Sequence, residues 1–347
     1  MKMMEYRPWE KNEANSIISS VSNGELPILD IQLGGGCSNH CIYCDTPKYG
    51  EPCLVNLDAV YKLINQGNIR GVYICGLGEP TSKENIKHLK AILRMCKEKG
   101  IWLSMFTNLM DLDDELLDYI DNGTLNILFK YDTRLESLAS KLYGVSSMNR
   151  LRTYFDNIKK LEKVIHINNG VTNIGASIVP TSLNYDELRF EIIDECLKKG
   201  FFPLIGQLEN AGNCSTEYEK LSLNEEKLNV IKKILLDNHG INYEMPICPA
   251  TISGIHITNR NKVILDKRTG LSCPWFWLDE PQIEVIGDIN DMNYDEIVKK
   301  IIEYRSSKYE DVCRMRDNIE LYPFGGCGGN VKTLLETYTE IYQPENK

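Results

Sequence analysis

The sequence has no excess of basic residues. It contains 39 Lys and Arg residues against 49 Asp and Glu residues, which gives a formal net charge of −10 and a pI near 5.2. Proteins that bind the phosphate backbone of nucleic acids usually present a basic surface. The charge therefore argues against intact nucleic acid as a partner and favours a small-molecule or short-peptide substrate.

The chain also lacks long hydrophobic runs. No segment approaches the roughly 18 continuous apolar residues that indicate a transmembrane helix. The polar segment Met1 to Glu13 has no apolar core of the kind that a secretory signal peptide needs. We therefore expect a cytoplasmic protein with no membrane partner. Its 12 Cys residues are then expected to be metal ligands or free thiols, because the cytosol keeps thiols reduced.

No internal repeat or low-complexity tract is present, and apolar runs instead alternate with amphipathic stretches in a β-then-α order. This order is typical of a parallel sheet with crossover helices. The predicted strands are Ile28–Leu33, Gly71–Cys75, Ile101–Phe106, Leu125–Tyr131, Asn173–Val179 and Phe202–Leu208. Helices are predicted from Asn56 or Asp58 to Gln66, Ser82 to Lys99, Asp111 to Ile120, within Leu135–Val164, and from Asn184 to Lys199.

Six such units predict an α/β fold of the partial (β/α)6 TIM-like barrel type. Single hydrophobic cores stop growing near ~250 to 300 residues, so a chain of 347 residues leaves room for a smaller second module. We predict an N-terminal extension over 1–27, a barrel over 28–240 and a C-terminal α+β domain over 241–347.

Three Cys residues crowd into one loop behind the first predicted strand. Cys37, Cys41 and Cys44 form a CxxxCxxC run after the glycines 34–36. Iron–sulfur clusters are usually closed by four Cys ligands, so three imply an iron with an open position. Zinc is the alternative and would need a fourth ligand; His40 lies in the loop but would project from the same tight turn as Cys41.

This loop resembles the signature of the radical S-adenosylmethionine (radical SAM) enzymes, whose [4Fe-4S] cluster binds SAM at its unique iron. The aromatic residue before the third Cys, which lies near the adenine in that family, is Tyr43 here. The segment Gly76-Leu77-Gly78-Glu79-Pro80 is similar to the family's Gly-Gly-Glu-Pro motif, with Leu77 in place of the first glycine. Thr107-Asn108 stands where many relatives have Thr-Asn-Gly.

The resemblance implies an activity and a set of site residues. A flavodoxin- or ferredoxin-type reductant would supply an electron, SAM would be cleaved to methionine and a 5′-deoxyadenosyl radical, and that radical would take hydrogen from a substrate carbon. By resemblance, Glu79 would meet the SAM amino group, the region from Lys130 to Asp132 its ribose or carboxylate, and Ile174 to Ser177 its adenine.

Position along the strands supports further candidates. Active sites of parallel αβ barrels lie at the C-terminal strand ends, where the sequence places Asn108, Lys130, Ser177 and Glu209. Helix capping and loop solvation are alternative roles for such residues. Glu51, in the loop after the cluster, could hold or deprotonate a substrate if it faces the cavity, or could be a solvated loop charge.

A second set of Cys residues follows the barrel region, around a predicted hairpin of residues 255–257 and 263–265: Cys248, Cys273, Cys313 and Cys327. The arrangement resembles the twitch or SPASM extensions of some radical SAM enzymes. Four Cys suffice for one further [4Fe-4S] cluster but not for the two of a complete SPASM domain. Zinc and unligated buried thiols are the alternatives.

The sequence therefore predicts a radical SAM enzyme that acts on a small polar substrate. Its length, one-cluster extension, Asn/Lys/Ile-rich composition and Glu51 loop look similar to the clostridial lyases that release queuine from queuosine or its 5′-phosphate. A twitch-type sugar-alcohol dehydrogenase and a peptide-modifying maturase are alternatives, and an Fe–S redox sensor is the non-enzymatic one.

Overall fold

The computed structural model describes residues 4–44, 53–74, 76, 78–206, 208–210, 212–241, 248–267, 270–272 and 283–314, with side chains as far as residue 308. The strands are β1 (Glu5–Tyr6), β2 (Ile28–Ile31), β3 (Gly71–Ile74), β4 (Trp102–Thr107), β5 (Leu125–Lys130), β6 (Ile167–Asn168), β7 (Val171–Thr172), β8 (Ile174–Ile178), β9 (Phe202–Ile205), β10 (Gly254–Ile257), β11 (Lys262–Asp266) and β12 (Ile283–Asp288).

The helices alternate with the strands through the first two thirds of the chain. They are α1 (Lys11–Ser19), α2 (Leu57–Gln66), α3 (Ile86–Lys99), α4 (Asp114–Asp121), α5 (Glu136–Tyr143), α6 (Met148–Leu161), α7 (Tyr185–Glu187), α8 (Ile193–Lys199), α9 (Tyr218–Leu221), α10 (Glu225–His239), α11 (Pro249–Ser253) and α12 (Tyr294–Arg314). A π-helical turn over Leu188–Ile192 joins α7 to α8.

Parallel strands form the centre of the fold. The main sheet has the order β12-β11-β10-β2-β3-β4-β5-β8-β9, and the six strands from β2 to β9 are all parallel. All six strands predicted from the sequence are present, with boundaries shifted by a few residues. The predicted α/β fold with six parallel barrel strands is therefore confirmed.

Local capping explains where the helices begin. The side chain of Asn56 accepts hydrogen bonds from two backbone amides of α2, and Asp113 accepts one from α4. The helix predicted from Ser82 to Lys99 is α3, and its predicted start is wrong, because residues 82–85 form a turn and α3 begins at Ile86. The segment 135–164 holds two helices, because Gly144 ends α5 in a left-handed conformation with φ of 60°.

The two faces of the parallel sheet differ in chemistry. On β2, Leu29 and Ile31 join the apolar core beneath the helices, while Ile28 belongs to the opposite face. Because side chains alternate along a strand, Asp30 and the following Gln32 lie on that opposite face, which we call the inner face. Its lower part is covered by the N-terminal segment.

Aromatic side chains make this cover. Tyr6, Trp9 and Ile17 pack with Tyr73 and Trp102 of the inner face. The indole of Trp9 donates to the Tyr73 hydroxyl at 3.0 Å, and the Tyr6 hydroxyl lies 2.8 Å from Ser104 Oγ. The N-terminal residues therefore form part of the core of the fold, although their composition predicts only a polar extension.

The C-terminal hairpin extends the main sheet. Strands β10 and β11 pair antiparallel, as the sequence predicts, and β10 also runs parallel to β2, with His256 opposite Asp30. Strand β12 was not predicted and adds to β11. The division of the chain at residues 27 and 240 stays a prediction. None of the described helices has the length and apolar character needed to cross a membrane.

Candidate functional site

The loop with the first three Cys residues is fixed by backbone hydrogen bonds to the helical side of the barrel. The amides of His40 and Ile42 donate to the carbonyls of Tyr143 and Leu142, each at 3.0 Å. Asn213 N–H donates to the Cys44 carbonyl at 2.8 Å. These contacts hold the loop at the C-terminal edge of the parallel strands, which we call the cluster edge.

The segment Gly78-Glu79-Pro80 docks directly on this loop. Glu79 N–H donates to the Gly36 carbonyl at 2.6 Å. Gly78 has φ of 79°, and a Cβ at this position would lie 2.6 Å from Gly36 N and 2.7 Å from Gly34 O. Only glycine allows this close approach of two backbones. The segment Gly78-Glu79-Pro80 therefore fixes the position of the Cys37 loop relative to the sheet.

Replacing Gly78 by Ala should destabilise the protein by about 3 kcal/mol or more. The left-handed conformation is unfavourable for an L residue, and the new methyl group would clash with the backbone of residues 34 and 36. Gly100 provides the matched control. It has φ of 66° at the end of α3, with open space where a Cβ would lie, so Gly100→Ala should cost only about 1 to 2 kcal/mol. Equilibrium urea unfolding measures both; equal losses would contradict the docking role of Gly78.

The Glu79 carboxylate is the most extensively bonded acid of the site. It is buried, and its Oε1 accepts from Thr81 N, Thr81 Oγ1 and Thr107 Oγ1 at 3.2, 2.8 and 2.6 Å. Its Oε2 accepts from Asn108 N at 2.7 Å. Burial raises the pKa of this carboxyl group, and the hydrogen bonds from Thr107, Asn108 and Thr81 oppose that rise. The carboxylate is thus held rigidly at the cluster edge.

The turn after β4 links this carboxylate to the Cys loop. The amide Nδ2 of Asn108 lies 3.8 Å from Cys37 Sγ. Leu109 occupies the position where the family that this sequence resembles often has Gly. It has φ of 61° and is buried. Asn157 stabilises this left-handed turn by donating to the Leu109 carbonyl at 2.9 Å. Leu109 therefore holds a left-handed backbone conformation that a glycine would adopt without strain.

The three thiols of the loop lie within electrostatic reach of one another. Burial raises the pKa of Cys41 to about 12, the Lys130 ammonium opposes this, and Cys44 and Cys37 raise it further. Within the described ranges no three side chains of His, Cys, Asp or Glu converge as ligands of a single metal ion. Three thiols without a fourth suit a cluster with one open iron.

Tyr43, Lys130 and Asp132 form a second group beside the loop. The Tyr43 hydroxyl donates to Asp132 Oδ2, and Lys130 Nζ lies 4.7 Å from the centre of the Tyr43 ring. Burial raises the pKa of Asp132, and the Lys130 charge lowers it. Asp132 also accepts from Val179 N at 2.6 Å. The aromatic ring predicted to lie near an adenine is therefore locked in place.

The other predicted site residues are less closely connected. Ser177 lies opposite Lys130 in the sheet, Gly76 has φ of 97°, and Pro80 is buried. Glu209, beyond β9, is half-buried and contributes after burial to the raised pKa of Tyr218.

Several predicted site residues lie outside the described part of the chain. Glu51, Cys273 and Cys327 lie outside the described residues, and the side chain of Cys313 in the last turn of α12 does so too. Cys248 is buried directly before α11, in the apolar cluster that contains Tyr6 and Tyr73. The second Cys set therefore stays a prediction.

The polar side chains of the inner face were not predicted from the sequence as site residues. Asp30 and Gln32 alternate with apolar residues on β2 and are both buried, and His256 of β10 lies beside them with no exposed surface. The signal was the alternation itself, since a central strand of a parallel sheet is expected to be apolar on both faces. Asn213, whose side chain donates to the Cys41 carbonyl at 3.4 Å, was not recognisable from the sequence.

Comparisons with known proteins agree with the described fold. Residues 31–201 match the family model described as the radical SAM superfamily. The structure of Streptococcus suis SuiB bound to precursor peptide SuiA is similar, with a TM-score of 0.56 and 15% identity over 83% of this chain and 68% of that chain. Native anSMEcpe with bound AdoMet and Cp18Cys peptide gives 0.55 and 16%, over 91% of this chain and 97% of that chain. No curated protein sequence matches the chain.

Proposed function

We propose that this protein, whose residues 31–201 match the radical SAM superfamily model, cleaves SAM reductively and acts on queuosine or its 5′-phosphate, releasing queuine. When bound, the cluster and SAM supply a 5′-deoxyadenosyl radical that takes hydrogen from a substrate carbon. The chain's own residues bind, orient and shield the reactants, because the difficult chemistry belongs to the cofactor.

One observation carries the SAM-binding part of the proposal, namely the position of the Glu79 carboxylate between two strand ends. Its Oε2 accepts a single described hydrogen bond, from Asn108 N, and a carboxylate oxygen can accept two. It can therefore take a hydrogen bond from an ammonium group. Since Asn108 also contacts Cys37 Sγ, that ammonium group would lie beside the iron held by Cys37, Cys41 and Cys44.

The remaining cofactor contacts are assigned by position on the same edge. Tyr43 offers an aromatic surface for the adenine, and Ser177 and Gly76 border the inner face. Lys130 offers a cation for the SAM carboxylate or ribose. Glu209 is assigned to cofactor binding from its place beyond β9, and Glu51 is assigned as the base that takes a proton from the substrate.

The inner face supports a polar, compact substrate. Its upper part presents Gln32, Lys130 and Ser177, while aromatic residues close its lower part. A hydroxylated nucleoside can form hydrogen bonds with such groups through its own donors and acceptors. The acidic net charge of −10 further favours a free nucleoside over intact tRNA.

The second Cys set is assigned to a further [4Fe-4S] cluster ligated by Cys248, Cys273, Cys313 and Cys327. The support is the resemblance to twitch extensions and the position of Cys248, which begins α11 beside the sheet that carries the first loop. A closed cluster of four thiolates has no open iron, so it would serve electron transfer. We assign the enzyme to the cytoplasm, with a flavodoxin- or ferredoxin-type reductant.

The substrate assignment predicts a definite product. Anaerobic reconstituted protein, given SAM, dithionite and either queuosine or queuosine 5′-phosphate, should release free queuine that mass spectrometry detects, together with 5′-deoxyadenosine. Adenosine in place of queuosine serves as the control nucleoside and should release no base. Formation of 5′-deoxyadenosine without any queuine would reject the substrate and return the choice to the dehydrogenase and maturase alternatives.

A further inference from the structure

Three polar side chains form a hydrogen-bonded chain inside the fold, which we call the inner triad: Asp30, His256 and Gln32. Asp30 Oδ2 lies 2.6 Å from His256 Nδ1, and His256 Nε2 lies 3.0 Å from Gln32 Nε2. All three are buried, with exposed fractions of 1%, 0% and 2%. Burying such groups is unfavourable unless each is satisfied, so the triad is expected to have a role.

The inner triad points along β2 toward the cluster edge. Asp30 lies opposite His256 in the β2–β10 pairing, and Gln32 follows two residues later on the same face, five residues before Cys37. A Cβ at Gly76 would lie 3.0 Å from Gln32 Cγ and 3.2 Å from Gln32 Nε2. The glycine at position 76 therefore leaves the room that the Gln32 amide occupies.

Hydrogen-bond chemistry fixes the orientation of that amide. An amide nitrogen only donates, so His256 Nε2 must accept from Gln32, and the ring proton must lie on Nδ1, where it bonds Asp30. Asp30 therefore selects the His256 tautomer, and the tautomer selects the Gln32 rotamer. As a result, the Gln32 carbonyl oxygen is directed away from His256.

We propose that Gln32 is a specificity-determining residue for the substrate, and that His256 and Asp30 are positioning residues for it. With its carbonyl oxygen directed away from His256, Gln32 accepts a hydrogen bond there and therefore selects a ligand group that donates one, a hydroxyl or an N–H. The assignment rests on the proposed function, since the substrate used to test it is queuosine.

A purely structural role is the competing explanation. In that explanation the inner triad serves only to join β10 to β2. Backbone hydrogen bonds along Gly254–Ile257 already join these strands, and Gln32 N–H adds one to the Ile257 carbonyl at 2.9 Å. A structural role predicts that changes at Gln32 affect stability alone. A recognition role predicts that variants at Gln32 change the KM for the substrate even where their folding stability is unchanged.

Kinetics of Gln32 variants test the recognition role. Gln32→Leu removes the acceptor and should raise the KM for queuosine about tenfold or more, with a smaller effect on kcat. Ser104→Ala is the matched control, since Ser104 is also buried on the inner face but bonds Tyr6 in its lower part; its KM should stay within twofold. An unchanged KM in Gln32→Leu would overturn the proposal.

The orientation itself has a readout that does not depend on turnover. In nitrogen-15 spectra of protein labelled at its five His residues, the His256 signal, assigned through His256→Asn, should show the tautomer with its proton on Nδ1, and Asp30→Asn should change this tautomer. A proton on Nε2 in the unmodified protein would overturn the orientation argument. Failure of the unmodified enzyme to release queuine would instead reject the proposed function, whatever the tautomer.

Discussion

Replacing Glu79 by Gln is expected to weaken SAM binding about 10- to 100-fold while the fold is retained. The change removes the negative charge, and charge-assisted hydrogen bonds contribute about 1.5 to 3 kcal/mol. It also places an amide N–H₂ either against the Asn108 N–H or against the donors from Thr81 and Thr107. Equilibrium dialysis of the reconstituted protein with labelled SAM measures the affinity.

Glu98→Gln provides the matched control for this change, because Glu98 is exposed on α3, away from the cluster edge. Its SAM affinity should equal that of the unmodified protein. If Glu79→Gln bound SAM with unchanged affinity while its iron content was normal, the carboxylate would not be the SAM ammonium acceptor.

The triple variant with Cys37, Cys41 and Cys44 changed to Ala should lose about four iron atoms per chain, which is one cubane cluster. It should also lose all 5′-deoxyadenosine formation, since no other thiol set described here leaves an open iron. Iron assay after anaerobic reconstitution measures the loss. Cys96→Ala is the control, because Cys96 is a fully buried packing residue of α3; its iron content should be unchanged.

The quadruple variant of Cys248, Cys273, Cys313 and Cys327 extends the same iron measurement. A second [4Fe-4S] cluster predicts a loss of about four further iron atoms, with the first cluster retained. Loss of one zinc per chain would assign zinc to this set. Unchanged metal content would eliminate the second site.

The barrel strands and the cofactor motifs were predictable because both depend on neighbours in the sequence. The parallel strands β2, β3, β4, β5, β8 and β9 follow mainly apolar runs, and caps such as Asn56 and Asp113 mark helix starts. The Cys37 loop and Glu79 come together because both follow parallel strands, whose C-terminal ends share one edge. The order of the parallel strands therefore brings these short motifs together at one edge of the sheet.

The inner face was not predictable because its contacts join distant parts of the chain. His256 meets Asp30 across 226 positions, and Trp9 meets Tyr73 across 64. The periodicity of β10 indicates only that His256 faces away from Ile255 and Ile257, which the structure confirms. It does not show that β10 would pair with the first barrel strand.

Detection of 5′-deoxyadenosine tests the central claim most directly. Reconstituted protein incubated anaerobically with SAM and dithionite should form 5′-deoxyadenosine and methionine in equal amounts, and the Cys37/Cys41/Cys44 variant should form neither. A protein that holds its full iron content, binds SAM and still forms no 5′-deoxyadenosine, with or without queuosine, would contradict the radical mechanism.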